Sequence, residues 1–334
     1  MARNQSPFNQ WAQYLPLRAI SIMANILPMP LNMQAGKHIG QLFFNFDKKH
    51  RNRALKNISC SFPELSEEKV WSLAKQSTEH MFQLFTAEAI KMPSLVTPTT
   101  WEKYIHFKDV NRITERLAQK KPILFITGHC GNWELLGYSL SLLGYPIAAL
   151  ARPLDNPLIN SWVLKIRQKH GLKVITKWGS VPILQKLLSQ NTSIGFIADQ
   201  NAGEKGMFVP FFGRMASTYK SIGLLAMRHQ IPIAAVHAKR INKQFKYEIT
   251  MTDYIEPQEW EQHKDPLYYI TARYNHAIEN MIKSAPEQYL WLHRRWKSRP
   301  PHEQQGKEMP KKMISQLKSL PWLTEKELEQ LIKR

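Results

Sequence analysis

Cysteine is nearly absent from this sequence of 334 residues, which contains only Cys60 and Cys130. Two thiols this far apart exclude the disulfide framework of a small secreted domain and the paired cysteines of a zinc knuckle. We therefore expect a protein of the reducing cytoplasm. Cys130 follows His129 directly, but adjacent residues seldom converge in space, so a thiol that fills interior space is favoured over a catalytic nucleophile.

Acidic residues are also few, with 26 Asp and Glu against 46 Lys and Arg and a formal net charge of +20. An excess of this size attracts polyanions. Nucleic acid, an anionic membrane face, a phosphorylated lipid and an acidic carrier protein would each be suitable partners. Charge alone does not choose among them, so the choice depends on motifs.

A long uninterrupted apolar run is the third absence. Residues 15–33 are apolar, but Arg18 and three prolines interrupt them, whereas a membrane-spanning helix needs about 20 mostly apolar residues. The prolines leave a continuous helix only over residues 17–27, roughly 16 Å long at 1.5 Å per residue. No clean small-residue cleavage site follows, which argues against a removable signal peptide.

The N-terminal part does contain two amphipathic segments. Apolar side chains share one face of residues 17–27. A second set of apolar side chains repeats at helical spacing before the basic run DKKHRNRALK: Ile39, Leu42, Phe43 and Phe46. Two interpretations stay open, because such helices either attach a protein to an anionic cytoplasmic leaflet or pack on its globular part with their charges solvated.

Short apolar runs alternate with amphipathic segments from residue 122 onward. Five runs have the composition of buried strands, namely PILFIT, PIAAL, LKVIT, SIGFIAD and PIAAVHAKR, while QFKYEITMTDYI alternates like an antiparallel strand. Helices separate them, and Asn132 and Ser180 are suitable N-caps for two of these. The pattern predicts an α/β fold with a mostly parallel central sheet flanked by helices, in which sites lie beyond the carboxyl ends of the strands.

We divide the chain into three parts. N-terminal membrane-associating helices occupy residues 1–60, an α/β domain occupies residues 61–300, and a C-terminal tail with a short helix occupies residues 301–334. The α/β part is expected to be one domain because no linker interrupts residues 122–255.

His129 follows the run PILFIT, where a strand gives way to a helix and a side chain can be exposed at the edge of the sheet. A histidine there can accept a hydroxyl proton when a carboxylate on its second ring nitrogen fixes the tautomer and stabilises the imidazolium. Glu134 is favoured as that carboxylate by its proximity in sequence, and Asp199 at the end of SIGFIAD is the other candidate. Glu134 would otherwise complement the dipole of the helix N-terminus.

Two competing chemistries lack their motifs. The H-E-x-x-H pattern that places a zinc ion on a helix is missing, and so is the G-x-S-x-G turn of a serine hydrolase. Metal-dependent and serine-dependent hydrolysis are therefore disfavoured, and we expect no metal.

Four ordered blocks, HCGNWELLG, ARPLDNP, FIADQNAGEKGMFVPFFG and YLWLHRRWK, resemble the lipid A late acyltransferases, which are lauroyl or myristoyl transferases. The resemblance implies a glycerol-3-phosphate-acyltransferase-like fold at the cytoplasmic side of the inner membrane. It also implies transfer of a fatty acyl chain from acyl carrier protein to a hydroxyl of a phosphorylated glycolipid, a lipid A precursor. Neither a cofactor nor nucleic acid is expected as a partner.

The same resemblance implies roles for individual residues. His129 would be the general base, and Glu134 or Asp199 would orient it. Five further residues are expected to bind substrate: Arg152, Asn132, Gln200, Arg294 and Arg295. Residues 207–213, MFVPFFG, are expected to form an apolar loop that lines an acyl channel, touches lipid or fills the core.

Alternatives of other classes stay open because the acceptor pocket is not encoded in short motifs. An acyltransferase of the same fold that acts on another glycolipid or an aminolipid would use the same site residues. A basic nucleic-acid-binding protein would use the positive charge and the ten tryptophans for phosphate contacts and base stacking. A peripheral membrane scaffold would use the amphipathic helices alone.

Overall fold

Nine strands form two sheets in the computed structural model, which describes residues 6–176, 179 and 181–333. The strands are β1 (Ile105–Lys108), β2 (Leu124–Thr127), β3 (Ile147–Ala151), β4 (Lys173–Thr176), β5 (Ser193–Ile197), β6 (Met207–Phe211), β7 (Arg214–Thr218), β8 (Ile233–Arg240) and β9 (Tyr247–Ile255). The predicted cap Ser180 lies outside the described residues.

Helices occupy most of the remaining chain. They are α1 (Pro7–Ile26), α2 (Met29–Phe46), α3 (Lys48–Ser61), α4 (Glu67–Gln83), α5 (Ala89–Leu95), α6 (Asn111–Ala118), α7 (Trp133–Leu142), α8 (Pro157–Arg167), α9 (Val181–Ser189), α10 (Ser221–His229), α11 (Pro257–Glu261), α12 (Pro266–Ser284), α13 (Pro301–Gln304), α14 (Lys311–Lys318) and α15 (Glu325–Ile332). A π-helical turn, Leu84–Glu88, joins α4 to α5.

The central sheet has the strand order β1-β9-β8-β2-β5-β3-β4. Its neighbouring strands run parallel, apart from the antiparallel pair of β8 and β9. The mostly parallel sheet and the antiparallel character of β9 are therefore confirmed. The short edge strand β1 was not predicted, because only its first residue, Ile105, is buried.

Both faces of the sheet are covered by helices. Leu124 and Ile126 of β2 belong to one apolar cluster, together with side chains of α9, α10 and α12. Ile123 and Phe125 point to the opposite cluster, with side chains of α6 and α7. Burial on both faces explains why β2 reads as a continuous apolar run.

Helix α1 is longer than the sequence predicted. It begins at Pro7 and passes through Pro16, so the expected start at residue 17 is wrong. Ser6 caps the helix by accepting a hydrogen bond from the Asn9 N–H. Pro7 fits the first helical position, because a backbone N–H there would have no partner within the helix. None of the helices described here combines the length and the apolar character that a membrane crossing requires.

Helix α2 packs closely on α4 at two glycines. A Cβ on Gly40 would lie 2.7 Å from the Glu79 Cα, and one on Gly36 would lie 2.9 Å from the Gln83 Cα. The close approach ties the N-terminal helices to the rest of the chain.

The apolar segment MFVPFFG is not a loop, which corrects the prediction. Met207–Phe211 forms β6, an antiparallel partner of β7, and the chain turns at Phe212 and Gly213 with positive φ angles of 49° and 62°. Val209 and Phe211 are fully buried. The segment fills the core, because its inward side chains pack against α12.

Candidate active site

His129 and Asp199 occupy matching positions on two neighbouring strands. β2 and β5 are parallel, with Thr127 opposite Ile197, and each candidate residue follows its strand by two positions. Asp199 Oδ1 lies 2.7 Å from His129 Nδ1, while Asp199 Oδ2 accepts a 2.9 Å hydrogen bond from the His129 backbone N–H. Parallel pairing therefore brings together two residues that are far apart in sequence.

The carboxyl group of Asp199 is buried and charged. Burial acts to raise its pKa, but the His129 ring and two hydrogen bonds from His129 outweigh burial and hold the pKa below its ordinary value. A carboxylate on Nδ1 favours the tautomer whose proton is on that nitrogen, which leaves Nε2 able to accept a proton.

The Nε2 side of His129 faces Gln200, whose Nε2 is 3.3 Å away. The indole of Trp133 lies edge-on to the imidazole at 5.0 Å between ring centroids. The ring is thus fixed by a carboxylate, an amide and an aromatic side chain.

The turn after His129 is pressed against β8. Gly131 has a φ of +60°, and a Cβ there would lie 2.0 Å from the Ala238 carbonyl oxygen. Its N–H donates to the Gln288 carbonyl at 3.0 Å, and the Asn132 N–H donates to the Ala238 carbonyl at 2.9 Å. Only glycine fits this close approach.

The expectation that Glu134 lies against His129 is not met. Glu134 is the second residue of α7 and is directed towards α8, where Arg167 Nε donates to its Oε2 at 2.8 Å and Arg167 Nη2 donates to its Oε1. The ion pair raises the pKa of Arg167 against the opposing effect of burial. Proximity in sequence was misleading because α7 places Trp133 against the histidine ring and Glu134 against Arg167.

Asn132 caps α7, as predicted, by accepting a 3.0 Å hydrogen bond from the Leu135 N–H. It has no exposed surface, and its amide donates to the Glu88 carboxylate at 3.1 Å. Burial also raises the pKa of the Cys130 thiol, which stays protonated and fills interior space. The structure therefore gives Asn132 and Cys130 structural positions rather than contact with a substrate.

The two adjacent arginines near the C-terminal end of the α/β part differ sharply. Arg295 is 1% exposed, and its guanidinium donates to the Ser217 carbonyl, the Thr218 hydroxyl at 2.8 Å and the Asn275 side-chain carbonyl at 3.0 Å. A buried guanidinium engaged in this way joins β7 to α12 and does not reach a substrate, which corrects the expectation. Arg294 is exposed.

Arg152 lies at the same edge of the sheet as the histidine pair. It follows β3, which adjoins β5 on the side away from β2. Its exposed side chain donates to Asp155 at 3.2 Å.

A cavity of about 540 Å³ is lined by residues that neighbour the pair, although not by His129 or Asp199 themselves. Asn201, which follows Gln200, is one lining residue, and Leu290, whose N–H donates to the His129 carbonyl at 3.0 Å, is another. The complete lining consists of His50, Arg53, Met81, Asn201, Leu290, Leu292, His293, Arg294 and Lys297.

Several contacts around this site join residues that are far apart in the sequence. The partner of Glu134 is 33 positions away, and the buried ion pair of Glu88 with Arg240 spans 152 positions. Within the described residues, no three His, Cys, Asp or Glu side chains converge as a metal site would require.

A histidine and a carboxylate paired beyond the ends of two parallel strands is an arrangement typical of α/β enzymes. The family model described as bacterial lipid A biosynthesis acyltransferase matches residues 6–298, and the chain belongs to that family. It is an acyl-transferring enzyme.

Relatives with assigned names agree with this membership. The chain is 27% identical over 297 residues to the lipid A biosynthesis lauroyltransferase of Escherichia coli, covering 87% of this chain and 92% of that protein. It is 25% identical over 283 residues to the palmitoleoyltransferase of the same organism, covering 82% and 87%. The myristoyltransferase of that organism is 23% identical over 308 residues, covering 88% and 89%.

Proposed function

We propose that the protein transfers a fatty acyl chain from acyl carrier protein to a hydroxyl of an acylated, phosphorylated lipid A precursor. Family membership supports the class of acceptor. The pairing of His129 with Asp199 is the observation that carries the mechanism, because it supplies a base at the edge of the sheet.

His129 Nε2 removes the proton from the acceptor hydroxyl, and the oxygen attacks the thioester carbonyl carbon. The tetrahedral intermediate then collapses, the carbon–sulfur bond breaks, and the imidazolium of His129 returns the proton to the departing thiolate. No acyl-enzyme forms and no cofactor takes part. A positioned base of this kind contributes roughly 10²- to 10⁴-fold to the rate.

Asp199 acts through His129 as a positioning residue. Its carboxylate holds the reactive tautomer and stabilises the imidazolium formed at the first proton transfer. Gln200 places an amide on the Nε2 side of the ring, where it can donate a hydrogen bond to the reacting oxygen atoms.

Surface charge and apolar exposure support the partners. The net charge of +20 would attract an acidic carrier protein, lipid phosphates and an anionic leaflet. Apolar side chains on α1 and α2 are exposed, among them Phe8 at 80%, Ile26 at 71% and Phe46 at 81%. We therefore place residues 1–60 against the cytoplasmic face of the inner membrane.

The test is a transfer assay with the purified full chain. Lauroyl- and myristoyl-acyl carrier protein are each incubated with a tetra- or penta-acylated precursor, and the product is analysed by mass. We expect a gain of one acyl chain, lost in His129→Ala and retained in the control His106→Ala, whose exposed histidine is on β1. If neither donor supports transfer, the lipid A acceptor is refuted. If His129→Ala still transfers the acyl chain, the role of His129 as general base is refuted.

A further inference from the structure

The cavity beside His129 is basic and has two walls. Helix α3 contributes His50 and Arg53, while the segment after residue 289 contributes Arg294 and Lys297. None of its lining residues carries a carboxyl group. A cavity lined in this way attracts an anion.

Side-chain contacts hold the two walls in place. The Asn57 amide donates to the Trp291 carbonyl at 2.8 Å and to the His293 carbonyl at 3.0 Å. Arg53 donates to the Leu292 carbonyl at 3.0 Å. The two walls are therefore held together, and the Arg53 side chain, already bonded to the opposite wall, loses less freedom on binding a ligand.

Three of the cations are available to a ligand. In the described part of the chain, no carboxylate lies within ion-pair distance of Arg53, Arg294 or Lys297. His50 differs, since its Nδ1 is 2.7 Å from Asp47 Oδ2. Three converging cations without internal counter-ions favour a ligand with more than one negative charge.

A groove of about 680 Å³ with an apolar wall lies next to the basic cavity, since Phe43 of the groove contacts His50 of the cavity. Phe43 lines the groove, and its ring contacts that of His50 at 5.9 Å between centroids and that of Phe82 at 5.0 Å. The other apolar lining side chains are Ile39, Leu42, Phe46 and Phe82, and the charged residues Asp47, Lys48 and Lys49 complete the lining. A basic cavity next to a groove with an apolar wall fits an amphipathic ligand, whose phosphate and acyl chains would occupy different parts.

We propose that the cavity formed by Arg53, Arg294 and Lys297 binds a phosphate of the glycolipid acceptor, with acyl chains of the same molecule in the adjoining groove. This inference rests on the proposed function and names the part of the site that selects a phosphorylated lipid. The pantetheine phosphodiester of the carrier protein contains the same chemical group, but it brings no additional acyl chains to the groove.

Exposed cations provide the variants for the test, because their loss removes charge without opening the core. The double variant Arg294→Gln, Lys297→Gln is compared with Lys307→Gln, Lys311→Gln, which removes two exposed charges outside the cavity lining. KM is measured for acceptor and for carrier-bound donor, using acceptors with and without phosphate. Binding of each acceptor in mixed micelles is measured separately, without donor.

We expect the cavity variant to raise the acceptor KM and weaken acceptor binding by roughly 10- to 100-fold, the usual effect of losing charge-assisted contacts. The donor KM and kcat stay within about twofold of their values in the unmodified protein. With the dephosphorylated acceptor, the cavity variant and the unmodified protein should have the same acceptor KM and the same acceptor affinity. An additional Lys297→Arg variant is expected to retain acceptor affinity.

Two results would overturn the inference. Equal losses in the cavity and control variants would mean that only the overall field matters. A raised donor KM that persists with the dephosphorylated acceptor would assign the cavity to the pantetheine arm. Phosphate-dependent acceptor binding that is lost in the cavity variant supports the site, whether or not acyl transfer is observed. If the unmodified protein binds the acceptor in this way but transfers no acyl chain, only the proposed function is refuted.

Discussion

Asp199 holds His129 at two points, with one carboxylate oxygen 2.7 Å from the ring Nδ1 and the other 2.9 Å from the backbone nitrogen. The ring orientation and the end of β2 are therefore fixed by the same carboxylate. Asp199 follows β5 and is only 2% exposed, so solvent has little access to the carboxylate that orients the histidine.

Replacement of Asp199 by Asn should damage the reaction more than the fold. An amide in this position no longer stabilises the imidazolium and can stabilise the wrong ring tautomer, so we expect kcat to fall about 10³- to 10⁴-fold. The acyl-transfer assay and a thermal melt measure the two effects. Asp155→Asn, at an exposed carboxylate paired with Arg152, serves as the control, and a loss below tenfold in Asp199→Asn would contradict the assignment.

Replacement of Glu134 by Gln should instead weaken the contact between α7 and α8. Loss of the paired charge leaves the partly buried Arg167 without its carboxylate, which costs about 1–3 kcal/mol. We expect a lower melting temperature, an unchanged pH–rate profile and strong coupling to Arg167→Gln in a double-mutant cycle. A shifted pH–rate profile at an unchanged melting temperature would mean that Glu134 acts on the base.

Gly131→Ala tests the close approach of the turn to β8. The added Cβ would lie 2.0 Å from the Ala238 carbonyl oxygen, so the turn has to move and carry His129 with it. We expect a loss of several kcal/mol in unfolding free energy, together with loss of transfer. At Gly144, with a φ of +86° and no atom within 4 Å, the same substitution costs only about 1–2 kcal/mol of backbone strain. Similar effects at the two glycines would argue against the steric explanation.

Six of the seven strands of the central sheet could be predicted from the sequence, because each of the six carries its own local signal. The run before His129 is apolar on both faces, and caps such as Asn132 mark the helices that follow. β1 was not predicted because a four-residue edge strand with one buried side chain shows almost no alternation of apolar and polar residues. The strand β6 was misread as a loop, since its apolar run also contains Pro210.

The site could be predicted only in part, because pairing across a sheet is a non-local property. His129 and Asp199 were identified as strand-end residues, but they are 70 positions apart, and the sequence does not show which strands are neighbours. Glu134 was favoured because it is closer to His129 in the sequence than Asp199 is. Arg295 was grouped with Arg294 because adjacency in sequence says nothing about which side chain points inward.

Two buried histidines, His80 and His237, and the half-buried His293 should make the fold sensitive to mild acid. Burial, the largest cause, lowers the pKa of His80 to about 3 and the pKa values of His237 and His293 to about 4. The unfolded chain binds these protons near the ordinary value of 6.5, so their stabilising contribution is complete above that pH and is lost as the pH falls towards 4.

Each such proton adds a slope of about 1.4 kcal/mol per pH unit to the unfolding free energy within that window. Denaturant titrations between pH 7 and pH 4.5 measure the slope. His80→Gln should reduce it by close to one proton, whereas the exposed control His106→Gln leaves it unchanged. A flat stability profile across the window would refute the explanation.

Membrane attachment through α1 and α2 predicts a specific effect of their exposed aromatic side chains. Phe8 and Phe46 are each about four-fifths exposed, and burial of such a side chain in a lipid interface is worth about 1.5–3 kcal/mol. Phe8→Ser and Phe46→Ser should therefore each reduce binding to anionic vesicles roughly 10-fold or more in a flotation assay. Leu224→Ser, on α10, controls for loss of an exposed apolar side chain elsewhere. Phe8 lines neither the basic cavity nor the groove beside it, so transfer by Phe8→Ser in detergent should stay unchanged. Phe46 lines that groove, so its variant is tested by vesicle binding alone. Equal vesicle binding by all three variants would refute attachment by these helices.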